Sequence, residues 1–235
     1  MTERLAVVIP AAGVGKRMQA DRPKQYLLLN DKPLLQHTLE RLEQHSSVTD
    51  ILLVLSADDA YAHQATWLEA PHITRVDGGK ERVDSVLAGL RAAKHKGYAD
   101  TDWVMVHDAA RPCVTLNDID TLLAARAHDT DGAILASPVK DTMKRAREDD
   151  AAVVNATTDR NGLWHALTPQ LFRLGELTTA IEQGLQRGIA ITDEASAMEA
   201  AGYRVGLIEG CASNLKVTTP ADLALAAFYL AQQAQ

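Results

Sequence analysis

Three turns in this chain hold the residue types that could carry chemistry. The first, Pro10-Ala11-Ala12-Gly13-Val14-Gly15-Lys16-Arg17-Met18, directly follows the apolar run Leu5 to Ile9. Small residues let the backbone approach a ligand closely, and Gly13 and Gly15 can adopt positive φ. Successive N–H groups in such a turn form an anion-binding concavity. The pattern is neither GxxxxGK[ST] nor a full GxGxxG, since Met18 stands where a third glycine would be. A tight turn without a ligand is the other reading. Lys16, Arg17, Arg22 and Lys24 crowd into nine residues, opposed by Asp21, in a chain of net charge −7. That cluster suits a polyanion such as a triphosphate; a solvated basic loop has the same composition.

The second turn, Asp77-Gly78-Gly79-Lys80-Glu81-Arg82-Val83-Asp84-Ser85, again places a glycine pair between a strand-like and a helix-like segment. It is either an ordinary turn or one wall of a pocket for a planar base, read by backbone groups and Ser85. The third is Val106-His107-Asp108-Ala109-Ala110-Arg111-Pro112. A carboxylate at the end of a strand suits Mg²⁺, which takes oxygen ligands and keeps several waters while touching phosphates. Arg111 can grip a phosphate through its planar fork. A structural salt bridge between Asp108 and Arg111 is the alternative, and His107 reads as packing at the strand end. Late in the chain, Lys216 lies in the polar segment Ser213 to Pro220.

The elements that must position these turns alternate. Leu5–Ile9, Ile51–Leu55, Ile73–Val76, Trp103–Val106, Ala133–Ala136 and Arg204–Ile208 read as strands, most of them buried apolar runs. Helical spacing predicts helices opening at Pro33 and over 58–69, 81–94, 116–128, 174–186, 194–201 and from Thr219-Pro220 towards Gln233. Buried strands alternating with helices indicate an α/β fold, a mostly parallel sheet covered on both faces. Ligands of such sheets bind at the carboxyl ends of the strands, where the three turns fall. From about 137 to 171 the pattern changes. Two extended segments joined by the charged tip Arg147-Glu148-Asp149-Asp150 read as a hairpin-like arm at about 137–160, or as a solvated loop.

The 235 residues suffice for a sizeable core, and the chain reads as a single domain, 1–235. Its hydrophobic content of 46% and charged content of 23% are ordinary globular usage. The acidic balance argues against a nucleic-acid partner. No apolar run approaches the ~20 residues of a membrane span. Two cysteines without metal-ligand spacing argue against a disulfide framework or structural zinc. A cytoplasmic protein is expected.

Taken in order, these segments resemble the cytidylyltransferases that act on 2-C-methyl-D-erythritol 4-phosphate, in the non-mevalonate route to isoprenoid precursors. The matching stretches are Pro10–Met18, Pro23–Tyr26, Asp77–Ser85, His107–Pro112, Asp141–Lys144, Asp159–Trp164, Thr168–Gln170, Thr192–Ala195 and Asn214–Thr218. They span nearly the whole chain, and His107–Pro112 with Asp159–Gln170 is the most specific part. The resemblance implies a Rossmann-like nucleotidyltransferase fold with a protruding β-arm. It implies a reaction joining CTP to methylerythritol phosphate, with release of pyrophosphate and help from Mg²⁺ or another divalent cation.

By the same resemblance, the Ala11, Ala12, Gly13 and Gly15 backbone and Arg17 hold the CTP phosphates, and Lys24 lies beside the α-phosphate. Gly79, Lys80 and Ser85 read cytosine, and Asp108 ligates the metal. Arg111, Thr142 and Thr168 hold methylerythritol phosphate, joined by Arg160 from a partner subunit. Lys216 completes the cationic ring, and the arm exchanges between subunits of a homodimer. Lys80 stands where some members have an acid, and Ser213 where some have Asp, which leaves Asp108 as the metal carboxylate. A ribitol- or sugar-phosphate nucleotidyltransferase is the alternative enzyme. A non-catalytic nucleotide-binding regulator would not need the set Lys24, Asp108 and Lys216.

Overall fold

The computed structural model describes residues 4–13 and 22–233. Gly15 and Arg17, with their neighbour Lys16, lie outside the described residues. The chain runs β1 (Leu5–Pro10), β2 (Leu28–Leu29), β3 (Lys32–Pro33), α1 (Leu34–Glu43), β4 (Val48–Leu55), β5 (Ile73–Asp77), α2 (Arg82–His95), β6 (Trp103–Val106) and α3 (Leu116–Ala124). It continues with β7 (Gly132–Pro138), β8 (Met143–Ala146), β9 (Val154–Thr158), β10 (Trp164–Arg173), α4 (Leu174–Gln186), α5 (Glu194–Ala200), β11 (Val205–Glu209) and α6 (Pro220–Gln233).

Seven strands form one sheet in the order β11-β7-β10-β6-β1-β4-β5. All pairings are parallel except the two made by β10. Side chains of a strand alternate between faces, so the sheet feeds two cores. Leu5, Val7 and Ile9 of β1 face one way and pack with Leu35 and Leu39 of α1 and Ile119 and Leu122 of α3. Ala6 and Val8 face the other way, with Val86 and Leu90 of α2, Leu177 and Ile181 of α4 and Met198 of α5. Helix α2 lies close on the sheet because residue 89 is glycine: a Cβ there would fall 2.4 Å from Val8 Cγ1. That close seat brings the first turn of α2 to the strand ends.

Most expected elements form where their patterns place them, and three differ. The segment 58–69 is not a helix; two short 3₁₀ turns, Ala62–Gln64 and Thr66–Leu68, break at Ala65 with φ −92° and ψ 85°. Asp59 competes with helix formation there, accepting from the Tyr61 and Ala62 N–H groups and from the Tyr26 hydroxyl. Helix α3 stops at Ala124 and continues as one 3₁₀ turn, Ala125–Ala127. β10 is a ten-residue antiparallel strand inside a stretch read as a change of pattern. Its register slips between Ala166 and Gln170, around the cis bond Thr168–Pro169. A proline and polar residues in mid-strand hide such a strand from periodicity.

The arm is a two-stranded hairpin of β8 and β9, and residues 140–157 are all exposed. No helix among the described residues is long and apolar enough to cross a membrane.

Candidate active site

The three turns meet at the carboxyl ends of β1, β5 and β6. Pro10, Ala11, Ala12, Gly13, Lys24, Gln25, Gly79, Lys80, Glu81, Arg82, Ser85, Asp108, Ala109, Ala110 and Lys216 line one cavity there. Local bonds explain the assembly. The Ala11 N–H donates to Val54 O at 2.7 Å and the Gly78 N–H to Leu55 O at 2.7 Å, so both turns leave the sheet side by side. They touch: a Cβ on Gly78 would fall 2.7 Å from Ala12 Cβ and 2.9 Å from Ser85 Oγ. Ser85 closes the second turn, accepting from the Gly79 N–H at 3.2 Å and donating to Glu81 O at 3.3 Å.

Lys24 is placed by its neighbours. The buried Gln25 amide donates to Ala11 O at 2.8 Å, and the Tyr26 hydroxyl donates to Asp59 at 2.8 Å while its ring stacks on Tyr61. The Lys24 ammonium donates to Val217 O at 3.4 Å. Val217 in turn bonds Ala110 O through its N–H at 2.8 Å, which pins Lys216 over the third turn.

Asp108 is 7% exposed and is the electrostatic centre of the site. Lys216 Nζ lies 2.8 Å from its Oδ2, Arg111 Nε lies 3.6 Å from the same oxygen, and Arg82 donates twice to Oδ1 at 3.3 and 3.2 Å. Burial alone would push this carboxyl up, but the charges of Arg82, Lys216 and Arg111 hold it well below the usual range. Burial pulls Arg111 down from its ordinary value, opposed by Asp108. The ion pair between Asp108 and Arg111 therefore exists, and of the two only Asp108 lines the cavity.

Behind this wall stands a neutral strut. Burial pushes His107 down to about 4. Its Nε2 lies 3.1 Å from Arg111 O, a pure acceptor, so the proton is on Nε2 and Nδ1 accepts from the Thr168 hydroxyl at 3.0 Å. Thr168 Oγ1 also accepts the Asp108 N–H at 3.0 Å. Thr168 and Arg111 thus sit against Asp108 rather than in the cavity lining. Thr142 and Arg160 are exposed on the arm, where the Arg160 guanidinium donates to Lys140 O; one subunit does not bring them to the pocket lining.

Sequence reasoning gave no role to Arg82, Gln25, Gln170, Glu194 or Asn214. Arg82 links Asp108 to the buried Glu194, and Asn214 accepts from Arg111 through its carbonyl and donates to Thr168 O. Each of the five lies inside a stretch that carried the family resemblance, which was the available signal. Ser213 donates its hydroxyl to Cys113 O and to Cys211 Sγ, and it is not among the residues lining the cavity. Among the described residues no cluster of three or more His, Cys, Asp or Glu side chains forms a metal cage. One carboxylate at the cavity wall, held ionised by its cationic neighbours, fits a hard cation whose other ligands are phosphate oxygens and water.

Chemically, the site offers cations and backbone N–H groups around one carboxylate, with no histidine base facing the cavity. Such a site can hold a polyphosphate and neutralise charge growing on it.

Comparison with known proteins agrees. The family profile for 2-C-methyl-D-erythritol 4-phosphate cytidylyltransferase matches residues 5–232. A Vibrio vulnificus protein of that name is 52% identical over 229 residues, 97% of this chain and 95% of its own length. One from Photobacterium profundum is 50% identical over 234 residues, covering 99% and 98%. The crystal structure of a 4-diphosphocytidyl-2C-methyl-D-erythritol synthase superposes with TM-score 0.84 at 38% identity, covering 98% of this chain and 99% of the other. That of the Francisella tularensis 2-C-methyl-D-erythritol 4-phosphate cytidylyltransferase gives 0.84 at 32% identity, covering 97% and 100%.

Proposed function

The chain belongs to the 2-C-methyl-D-erythritol 4-phosphate cytidylyltransferase family, and from that premise we propose how its residues divide the transfer of a cytidylyl group from CTP to methylerythritol phosphate. A phosphate oxygen of the acceptor attacks the α-phosphorus of CTP. One P–O bond forms, the α–β P–O bond breaks, and pyrophosphate leaves with that electron pair. The attacking group is already an anion, so no general base is required. This agrees with a neutral His107 whose two nitrogens are committed to Thr168 and Arg111.

The backbone of Ala11 to Gly13 cradles the phosphates through its N–H groups. The family resemblance assigns Gly15 and Arg17 to the same phosphates. Gly79, the Lys80 backbone and Ser85 read cytosine. Lys24 and Lys216 flank the α-phosphate and neutralise the charge that builds there and on the leaving group. The observation that carries this reading is that Lys24, Lys216 and Asp108, far apart in sequence, line one cavity. Asp108 would hold Mg²⁺ or another divalent cation together with the CTP phosphates; when bound, the ion supplies charge neutralisation.

Arg111 and Thr168 lie at the acceptor side. Arg160 completes the acceptor site from the arm of a second subunit, and Thr142, which the resemblance grouped with Arg111 and Thr168, is exposed on that same arm and is proposed to come with it, so the enzyme works as a homodimer with composite active sites. Exposed Met143, Val153 and Val154, at 36%, 44% and 57%, are the apolar surface such a partner would cover. Two free cysteines suit a reducing cytoplasm. The test is pyrophosphate release with CTP, Mg²⁺ and methylerythritol phosphate, each omitted in turn. Release that needs all three supports the reading; release without the acceptor overturns it.

A further inference from the structure

A carboxylate that the transfer does not use lies behind the pocket wall. Glu194 is 2% exposed, and both of its oxygens accept from one guanidinium, Arg82 Nη1 at 2.7 Å and Nη2 at 3.2 Å. The other edge of that guanidinium holds Oδ1 of Asp108. Arg82 is therefore a bridge between two carboxylates, one in the cavity wall and one behind it.

Glu194 has its own fixed seat. It is the first residue of α5, whose N-cap Asp193 accepts the Ser196 N–H at 2.9 Å. On either side of Glu194, the buried Gln170 amide bonds its neighbours: Nε2 donates to Asp193 at 2.9 Å and Oε1 accepts the Ala195 N–H at 2.9 Å. Gln170 stands in β10, the strand whose Thr168 accepts the Asp108 N–H. One strand thus sets both carboxylates, and the Arg82 fork spans the gap.

A buried ion pair is weak as a stabilising device, since an apolar pair of similar volume often does as well. What Glu194 changes is the geometry of Arg82. A guanidinium meeting a single carboxylate prefers the bidentate arrangement. Released from Glu194, Arg82 would take both oxygens of Asp108 and compete with Lys216 for Oδ2. Held by Glu194, it keeps to Oδ1, and Lys216 Nζ stays 2.8 Å from Oδ2.

We propose that Glu194 is a positioning residue: by holding one edge of Arg82 it confines that side chain to Oδ1 of Asp108, and so sets the place of the Lys216 ammonium at the cavity. This rests on the role given to Lys216 above. The test is a cycle of E194Q, K216M and E194Q/K216M, with kcat measured per CTP-binding site counted by calorimetry. E194Q should lower kcat about tenfold while KM for CTP stays within about threefold, and the double variant should match K216M within about twofold. Wild-type kcat in E194Q beside a depressed K216M overturns the proposal. So does a double variant whose loss is the product of the single losses, or a kcat that recovers once binding sites are counted. Wild-type kcat in K216M overturns the role of Lys216 itself, and this proposal with it. If E194Q does not fold, E194D, which keeps the charge but draws back from Arg82, enters the same cycle; non-additivity with K216M supports the proposal, and additivity or wild-type kcat overturns it.

Discussion

Lys216 Nζ sits 2.8 Å from Oδ2 of Asp108, and the carbonyl next along from Lys216, that of Val217, accepts the Lys24 ammonium. One short segment before α6 therefore ties together the two lysines and the carboxylate of the site. Their arrangement is part of the fold and does not wait for substrate.

Lys24→Ala should lower kcat by roughly 10²–10³, the scale for removing one preorganised donor at a developing charge. Single-turnover rates at saturating CTP measure this. Since Gln25 and Tyr26 still hold the segment, thermal stability should stay near that of the wild type, and an unchanged rate would remove Lys24 from the chemistry.

Asp108→Asn should cost both activity and stability. It leaves Arg82, Arg111 and Lys216 facing a neutral amide, and breaking a buried pair in this way costs about 3 kcal/mol or more. The Mg²⁺ concentration for half-maximal activity should rise. A magnesium titration that overlays the wild type would exclude Asp108 as the ligand.

A stability test away from the site uses Asp50 on β4, which meets Lys96, Arg4 and the Tyr98 hydroxyl. Burial opposes its ionisation, but Tyr98, Lys96 and Arg4 outweigh it and hold the carboxyl below its ordinary value. With the folded value depressed, the unfolded chain binds the extra proton. The contribution is thus full above about pH 4 and is lost as pH falls through the folded value. Asp50→Asn should be destabilising by about 1–2 kcal/mol at neutral pH, with the gap to wild type closing below about pH 4. Denaturant melts at several pH values read this, and a gap independent of pH would contradict it.

Arg160→Ala should raise KM for methylerythritol phosphate more than KM for CTP. Mixed with Lys24→Ala, it should form heterodimers in which one composite site carries both defects and the other is intact. Activity above the sum of the parents is expected after subunit exchange. No gain in confirmed heterodimers would place Arg160 outside the partner's site.

Much of this was legible in the chain itself. β1, β4 and β6 are buried on both faces, and such strands announce themselves as unbroken apolar runs. α4 fills the range its 3.6-residue spacing marks, Leu174–Gln186. The turns after β1 and β6 showed phosphate-handling residues and the turn after β5 a possible wall for a planar base, although roles for Lys24 and Lys216 came from family resemblance. Arg82 and Glu194 stayed hidden because their ion pair spans 112 positions and leaves no local pattern. β10 stayed hidden because Pro169 interrupts it, and the 58–69 helix failed because Asp59 is drawn to Tyr26. For the Arg82–Glu194 pair and for 58–69 the deciding contact joins distant segments, whereas β10 is masked by its own proline.

The most direct test of the central claim is an acceptor competition followed by ³¹P NMR. CTP and Mg²⁺ are supplied with equal methylerythritol 4-phosphate and ribitol 5-phosphate. The expected result is one equivalent of pyrophosphate per methylerythritol phosphate consumed, with a new pair of coupled diphosphate resonances and the ribitol phosphate signal unchanged. Equal consumption of both acceptors, or CTP cleaved with neither consumed, would contradict it.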